Sequence, residues 1–181
     1  MRLVSAALAA TLLAGCAPEY NWREVRSAEQ GYLVMLPGKP ASMTRRILLG
    51  DAEVSMTMQG ARVDETSFTV AVASLPDDRP ATRERAGDAM RAGMLRNIAG
   101  SEHSASLLEV PVVDAAGARQ GREPALRVEA GGSAQGKPVT MLAGFATRGA
   151  RAYQWVVLGP RPDREQAKTF LDSFRLLQAG S

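Results

Sequence analysis

Residues 53–59 read Glu-Val-Ser-Met-Thr-Met-Gln, and residues 67–74 read Ser-Phe-Thr-Val-Ala-Val-Ala-Ser. In both stretches an apolar side chain recurs at every second position. A period of two is typical of a β-strand with one buried face, because successive side chains in a strand point to opposite faces. These two stretches therefore predict strands, and they indicate that a sheet dominates the fold.

Further strand patterns lie on both sides of these two stretches. Each is rich in apolar residues, and glycine or proline turn residues separate them. They cover residues 31–36, 43–49, 104–113, 122–130, 137–147 and 151–159. The pattern of short strands and turns is typical of antiparallel hairpins and meanders.

Two stretches change to a helical period. Between residues 82 and 99, Ala86, Met90 and Met94 recur at four-residue spacing, and charged residues occupy much of the remainder. This pattern predicts an amphipathic helix with a core-facing stripe. Residues 162–177 predict a second helix, with Asp163 near its positive end.

The order of these elements is four strands, a helix, four strands and a helix. Because strands and helices do not alternate, a parallel doubly wound sheet is disfavoured. We predict an α+β fold in which a single antiparallel sheet of about six to eight strands is covered by two main helices. The chain has 181 residues and no long Pro/Ser-rich linker, so residues 28–178 are predicted to form one domain.

The beginning of the chain has the layout of a secretory signal. A short positive start precedes an apolar run over residues 3–13, which is too short to cross a bilayer as a helix of about 20 apolar residues. Residues 12–16, Leu-Leu-Ala-Gly-Cys, close this layout with the chain's only cysteine. They resemble the lipobox of bacterial lipoproteins, Leu-[Ala/Ser]-[Gly/Ala]-Cys.

The lipobox resemblance implies how the protein is processed and where it resides. It implies diacylglycerol on the Cys16 sulfur, cleavage between Gly15 and Cys16, and acylation of the new amino terminus, with palmitate as a typical acyl group. Residues 1–15 are then the signal peptide and residues 16–27 a lipidated N-terminus and short tether. Ala17 after the cysteine implies the inner leaflet of an outer membrane, facing the periplasm. The alternative is an ordinary secretory leader that is cleaved elsewhere and leaves a free thiol.

Two stretches of the remaining chain resemble small exported bacterial domains of uncharacterised function. Residues 31–40, Gly-Tyr-Leu-Val-Met-Leu-Pro-Gly-Lys-Pro, are similar to the Gly-Phe-x-Val-x-Phe-Pro-x-x-Pro start of these domains. Residues 170–176, Phe-Leu-Asp-Ser-Phe-Arg-Leu, are similar to their final helix. Such domains tend to resemble the α/β/α sandwich of PsbP and Mog1 proteins, which is the fold that this resemblance implies.

The residue counts restrict the chemistry that the chain can perform. Its only histidine, His103, lies in a polar stretch, residues 100–104, that predicts an exposed connection. Cys16 is consumed by lipid in the lipoprotein interpretation, so a Cys/His zinc site is excluded. Neither glycine-rich phosphate-binding motif occurs. We therefore predict no catalytic residue, no metal ligand and no cofactor.

The charge pattern disfavours nucleic acid as a partner. The formal net charge is +3, and acidic residues are interspersed with basic ones rather than separated into long runs. Aromatic residues make up 5% of the chain and do not interleave with basic ones, so stacking on bases is not expected.

Three hypotheses for function remain. The first is a non-enzymatic accessory module, anchored in membrane lipid through Cys16, that binds another envelope protein. The second is a small-molecule or lipid-binding domain facing the periplasm, with Met90, Met94 and Trp155 lining a groove between the sheet and a helix. Plain core packing is the other interpretation of the two methionines, because they recur at helical spacing. A hydrolase is a distant third, since no motif supports it.

Overall fold

The computed structural model describes residues 19–178. Cys16 and the lipobox lie outside the described residues, so what they imply stays a prediction. Strands hold 58% and helices 18% of the described part. The elements are β1 (Arg23–Ser27), β2 (Tyr32–Leu36), β3 (Ala41–Leu49), β4 (Ala52–Val63), β5 (Thr66–Ser74), α1 (Pro80–Asn97), β6 (Ser101–Val113), β7 (Arg119–Ala134), β8 (Lys137–Arg148), β9 (Arg151–Gly159), α2 (Arg164–Ser173) and β10 (Arg175–Leu177).

The ten strands form one curled, mixed sheet that makes a half-barrel. Their order across the sheet is β1-β2-β10-β6-β7-β8-β9-β5-β4-β3. Neighbouring strands pair antiparallel, except that β10 pairs parallel with β6. The predicted antiparallel sheet of about six to eight strands under two helices is therefore wrong in strand number and in strand direction. The curled sheet also differs from the sandwich that the second resemblance implies.

The two strands missing from the prediction are short and lie at the ends of the described chain. β1 falls within residues 16–27, which the sequence predicts to be a lipidated N-terminus and tether, and its side chains are largely exposed. β10 follows α2 directly, where the four-residue spacing of Phe170 and Phe174 continues a helical pattern. The backbone leaves the helix at Phe174, with φ −65° and ψ 131°. The predicted helix over residues 162–177 is therefore a shorter helix followed by a strand.

Each face of the sheet carries one helix and one apolar core. Ala86 and Met90 of α1 pack on one face, whereas Phe170 and Phe174, from α2 and the residue after it, pack on the other. The central strands are buried on both faces, and β9 is buried at all but its first and eighth residues. Burial on both faces explains why residues 151–159 form a nearly continuous apolar run rather than an alternating one.

Trp155 of β9 occupies the centre of the α2 core. It is fully buried and stacks on Phe174 with ring centroids 4.2 Å apart and planes 7° apart. Its Nε1 donates a hydrogen bond to the Leu171 carbonyl, 3.2 Å away. The ring lies directly over Gly144, which is its partner in the β8–β9 register. Trp155 thus ties the sheet to α2 through both packing and a hydrogen bond.

Aromatic side chains pack at one end of the sheet, and the β8–β9 turn lies at the other end. Tyr20 and Trp22 pack on Phe68 near the start of β5, and Trp22 Nε1 donates a hydrogen bond to Gln166 Oε1 of α2 at 3.2 Å. We call this the proximal end, because the described chain begins there. β5 runs away from it to Ser74, which pairs with Arg151 beside the β8–β9 turn at the distal end. No helix within residues 19–178 has the length and hydropathy needed to cross a bilayer.

Asp163 is the N-cap of α2, one residue before the helix begins, whereas the sequence predicted it within the first turn, at the positive end of the helix dipole. Its Oδ1 accepts hydrogen bonds from the backbone N–H groups of Glu165 and Gln166 at 2.8 and 3.0 Å. We expect Asp163→Ala to lower the free energy of unfolding by about 1 kcal/mol, because two backbone donors lose their acceptor. The melting temperature should fall by about 2–4 °C in a scan followed by circular dichroism. Asp163→Ser keeps a capping oxygen and should retain most of the stability, and an equal loss in both variants would contradict the capping role.

Candidate functional site: a cleft lined by arginines

The three residues predicted to line a groove do not meet in the structure. Met90 is buried in the α1 core and Met94 lies at its margin. Trp155 belongs to the α2 core on the other face of the sheet. Met90 and Met94 do line a small groove of about 270 Å³ between α1 and the β3–β4 hairpin, together with Met56 and Met58. That groove has no aromatic lining residue, so it is not the predicted methionine–aromatic cavity.

His103 lies on a strand rather than in the predicted connection. It sits in β6, at a register shift between Glu102 and Ser104. Its imidazole covers Gly131 of β7 so closely that a β-carbon there would stand 2.6 Å from a ring carbon. The ring thus fills space above a glycine on the exposed surface. Within residues 19–178, no three His, Cys, Asp or Glu side chains come together in a way that could hold a metal ion.

A larger cleft lies at the distal end of the sheet. Five segments meet there, namely the β1–β2 turn, the end of β5, the β6–β7 turn, the β8–β9 turn and the end of β10. The volume of the cleft is about 870 Å³. Its lining residues are Arg26, Ala28, Gly31, Ser74, Leu75, Ala115, Arg148, Gly149, Ala150, Arg151, Tyr153, Leu177 and Gln178. We call it the arginine cleft, because Arg26, Arg148 and Arg151 are the charged groups among them.

The β8–β9 turn brings two of these arginines together. Arg148 and Arg151 are direct partners across the hairpin, which leaves Gly149 and Ala150 as its two turn residues. Gly149 has a φ of 54°, and a positive φ at the first turn position is typical of the type II′ hairpin, which favours glycine there. Like charges directly opposite each other destabilise a sheet. The arginine pair is therefore not explained by strand pairing.

The three arginines differ in how firmly they are held. Arg148 donates from Nε to Glu123 Oε1 at 3.1 Å and from Nη1 to the Leu177 carbonyl at 2.7 Å. Arg151 donates from Nη2 to the Glu29 carbonyl at 2.9 Å. Both are half-buried. Arg26 is exposed, and no carboxylate of residues 19–178 lies within 4.0 Å of it or of Arg151. Two guanidinium groups are thus fixed in place, and a third is left to solvent.

Tyr153 and Gly31 shape the wall of the cleft. Gly31 adopts a φ of +75°, and a β-carbon on it would stand 3.0 Å from the Tyr153 hydroxyl and 3.1 Å from Arg151 Nη1. Glycine is thus required by both conformation and space. Burial raises the pKa of the Tyr153 hydroxyl, and the nearby Arg151 charge opposes part of that rise. The hydroxyl keeps its proton at neutral pH and can donate a hydrogen bond into the cleft.

The lining of the arginine cleft defines what it can do chemically. It presents positive charge and hydrogen-bond donors, and none of its lining residues is Asp, Glu, His or Cys. Guanidinium groups recognise the oxygen atoms of carboxylates and phosphates through paired N–H donors. The arrangement therefore favours binding of a negatively charged group and offers no general base.

Sequence reasoning missed this cleft because its residues are scattered. They come from five separate segments, and only the ends of the strands bring them together. The one local signal is Arg148-Gly-Ala-Arg151, in which two arginines flank a two-residue turn. Recognising it requires the hairpin register, since the same residues in a loop would simply point to solvent.

Comparison with known proteins adds no function to this geometry. No family model matches the chain, and no curated protein matches it. A crystal structure of a protein of unknown function, PA94 from Pseudomonas aeruginosa, is similar to it with a TM-score of 0.38 and 10% sequence identity. The similar region covers 81% of this chain and 88% of that one. A likeness of this degree carries no argument about either chain.

Proposed function

We propose that the protein is a membrane-anchored lipoprotein of the bacterial envelope that acts as a non-enzymatic binding module. The observation that carries this proposal is the lipobox-like stretch of residues 12–16, which ends in the only cysteine of the chain. Each buried methylene of an acyl chain contributes about 0.8 kcal/mol, and two or more chains on Cys16 hold a protein firmly at a bilayer.

The position of the first described residues supports the same proposal. Tyr20 and Trp22 already pack on the domain, and Glu19 follows Cys16 by only three residue steps, which span at most about 10 Å. A lipid on Cys16 would therefore keep the proximal end near the membrane. The distal end, with the arginine cleft, would then face the surrounding compartment. Because Ala17 follows the cysteine, we propose the periplasmic face of an outer membrane as that location.

Replacing the lipidated cysteine tests the anchor. We expect Cys16→Ser to abolish membrane association, because serine offers no sulfur for diacylglycerol transfer. Fractionation of the natural host should show the wild-type protein in membranes and the variant outside them. Mass spectrometry of the wild-type amino terminus should show an acylated Cys16. Ala14→Ser keeps the lipobox pattern and is the matched control, so it should stay in the membrane fraction.

Two outcomes would contradict the anchor. One is a wild-type amino terminus with an unmodified thiol, and the other is equal membrane association of the wild-type and Cys16→Ser proteins. Binding of an envelope component is tested separately by crosslinking in intact cells. A defined partner should be captured by the wild-type protein and lost with Cys16→Ser. Capture of no partner under several crosslinking conditions would count against the binding module.

A further inference from the structure

The arginine cleft contains more hydrogen-bond donors than its protein contacts use. Arg26 makes no side-chain hydrogen bond to any residue between 19 and 178. Arg148 engages described residues through Nε and Nη1, which leaves Nη2. Arg151 donates through Nη2 to the Glu29 carbonyl and also hydrogen-bonds to the Tyr153 hydroxyl, which still leaves part of its five N–H donors. Several N–H groups carrying positive charge are thus available to a ligand.

The same contacts hold two of the guanidinium groups ready for binding. Arg148 is fixed by Glu123 and the Leu177 carbonyl, and Arg151 by the Glu29 carbonyl. Ordering a free arginine side chain on binding costs free energy, and this cost is already met where the side chain is held by the fold. Binding of an anion between Arg148 and Arg151 would also relieve their repulsion across the hairpin.

Size and charge narrow the ligand class. A volume of about 870 Å³ suits a small molecule rather than a single inorganic ion. Arg148 is paired with Glu123, whereas Arg26 and Arg151 have no carboxylate partner among residues 19–178, and two such positive charges favour a ligand with two negative charges. Leu75 and Leu177 add apolar wall, while Tyr153 and Gln178 add polar groups. We propose that the arginine cleft binds a small soluble polyanion with two or more phosphate or carboxylate groups.

The choice of a soluble ligand over lipid headgroups rests on the proposed anchor. Arg151 lies beside the β8–β9 turn, whereas Trp22 lies at the other end of the sheet. Along β5, six residues separate Phe68, on which Trp22 packs, from Ser74, which pairs with Arg151, and they span roughly 20 Å at about 3.3 Å per residue. Arg26 follows Trp22 by four residues along β1, which is roughly 13 Å. A domain tethered by its proximal end therefore carries the cleft away from the membrane that anchors it.

Isothermal titration calorimetry of the full mature protein in detergent tests the proposal. Pyrophosphate and citrate are the probes, and chloride at equal ionic strength is the blank. We expect saturable binding of at least one probe, weaker at higher salt. Arg26→Gln should weaken it about tenfold, because one charge-assisted contact is lost. The double variant Arg26→Gln/Arg151→Gln should weaken it further. Arg23→Gln, on the same strand at the proximal end, is the matched control and should bind as the wild type does.

Three results would overturn the proposal. They are no binding of either probe, binding unaffected by Arg26→Gln, and equal weakening by Arg23→Gln. If neither probe binds, neutral vesicles that carry the protein are mixed with phosphatidylglycerol vesicles, and association of the two that depends on the arginines would assign the cleft to lipid headgroups. Arg26 is exposed and makes no side-chain hydrogen bond or ion pair with a residue between 19 and 178, so the single variant tests binding even if the double variant unfolds. Loss of the anchor with arginine-dependent probe binding intact would overturn the proposed function and leave the anion site standing.

Discussion

Trp155→Ala is expected to lower the free energy of unfolding by about 3–5 kcal/mol, which is the usual cost of removing a buried aromatic side chain. Trp155 is fully buried in the α2 core, so its loss leaves a cavity between the sheet and α2. It also removes the stack on Phe174 and leaves the Leu171 carbonyl without its donor. Urea unfolding followed by circular dichroism should show this loss as a lower midpoint with an unchanged slope.

Two further variants separate the causes of that loss. Trp155→Phe keeps an aromatic ring for Phe174 but cannot donate to Leu171, so it should lose clearly less stability than the alanine variant. Trp22 is only partly buried against the same core, and Trp22→Ala should also cost less. If Trp22→Ala destabilised the protein as much as Trp155→Ala, the central role of Trp155 would be refuted.

Gly144→Ala is expected to lower the free energy of unfolding by about 3 kcal/mol, at the upper end of the usual cost of overpacking a core. A β-carbon on Gly144 would overlap the Trp155 ring, at Cε2 and Cζ2. The ring cannot retreat easily, because Phe174 stacks on it with planes 7° apart. The same unfolding measurement reports the effect. Gly121→Ala is the matched control, since nothing lies within 4 Å of a β-carbon there, and it should stay within about 0.5 kcal/mol of wild type.

A double-mutant cycle connects the two predictions. If the Trp155 ring is what a larger residue at position 144 meets, Gly144→Ala should cost far less in a Trp155→Ala background. Additive losses would show that position 144 is restricted by something other than the ring. The cycle thus tests the packing of β8 on β9 directly.

The strands and helices that could be predicted from the sequence are those whose apolar residues form a period or a continuous run. The alternation in residues 53–59 and 67–74 lies within β4 and β5, and the helical stripe of residues 82–99 lies largely within α1. β10 has three residues, too few to display a recognisable alternation of apolar and polar side chains. Its partners β2 and β6 are distant in the sequence, so its pairing cannot be predicted from local patterns. The size and curl of the sheet depend on such pairings, so local patterns could not reveal them.

The candidate site was missed for a related reason. Apolar residues line both faces of β9, so the sequence does not tell which helix covers Trp155 and which covers its neighbours. The predicted groove joined Trp155 to Met90, although the sheet separates them. The arginine cleft depends on five chain segments that meet only after folding. A local pattern carries information about faces and periods, but not about which strand ends become neighbours.

The insertion of β10 between β2 and β6 has a consequence for how the protein is made. β2 pairs only with β1 and β10, so the first hairpin of the domain can join the sheet only after the last strand has been synthesised. Pairings over such sequence distances form late. A newly made chain would thus remain without its complete sheet until β10 has been synthesised, which leaves the earlier strands without their final partners for most of synthesis.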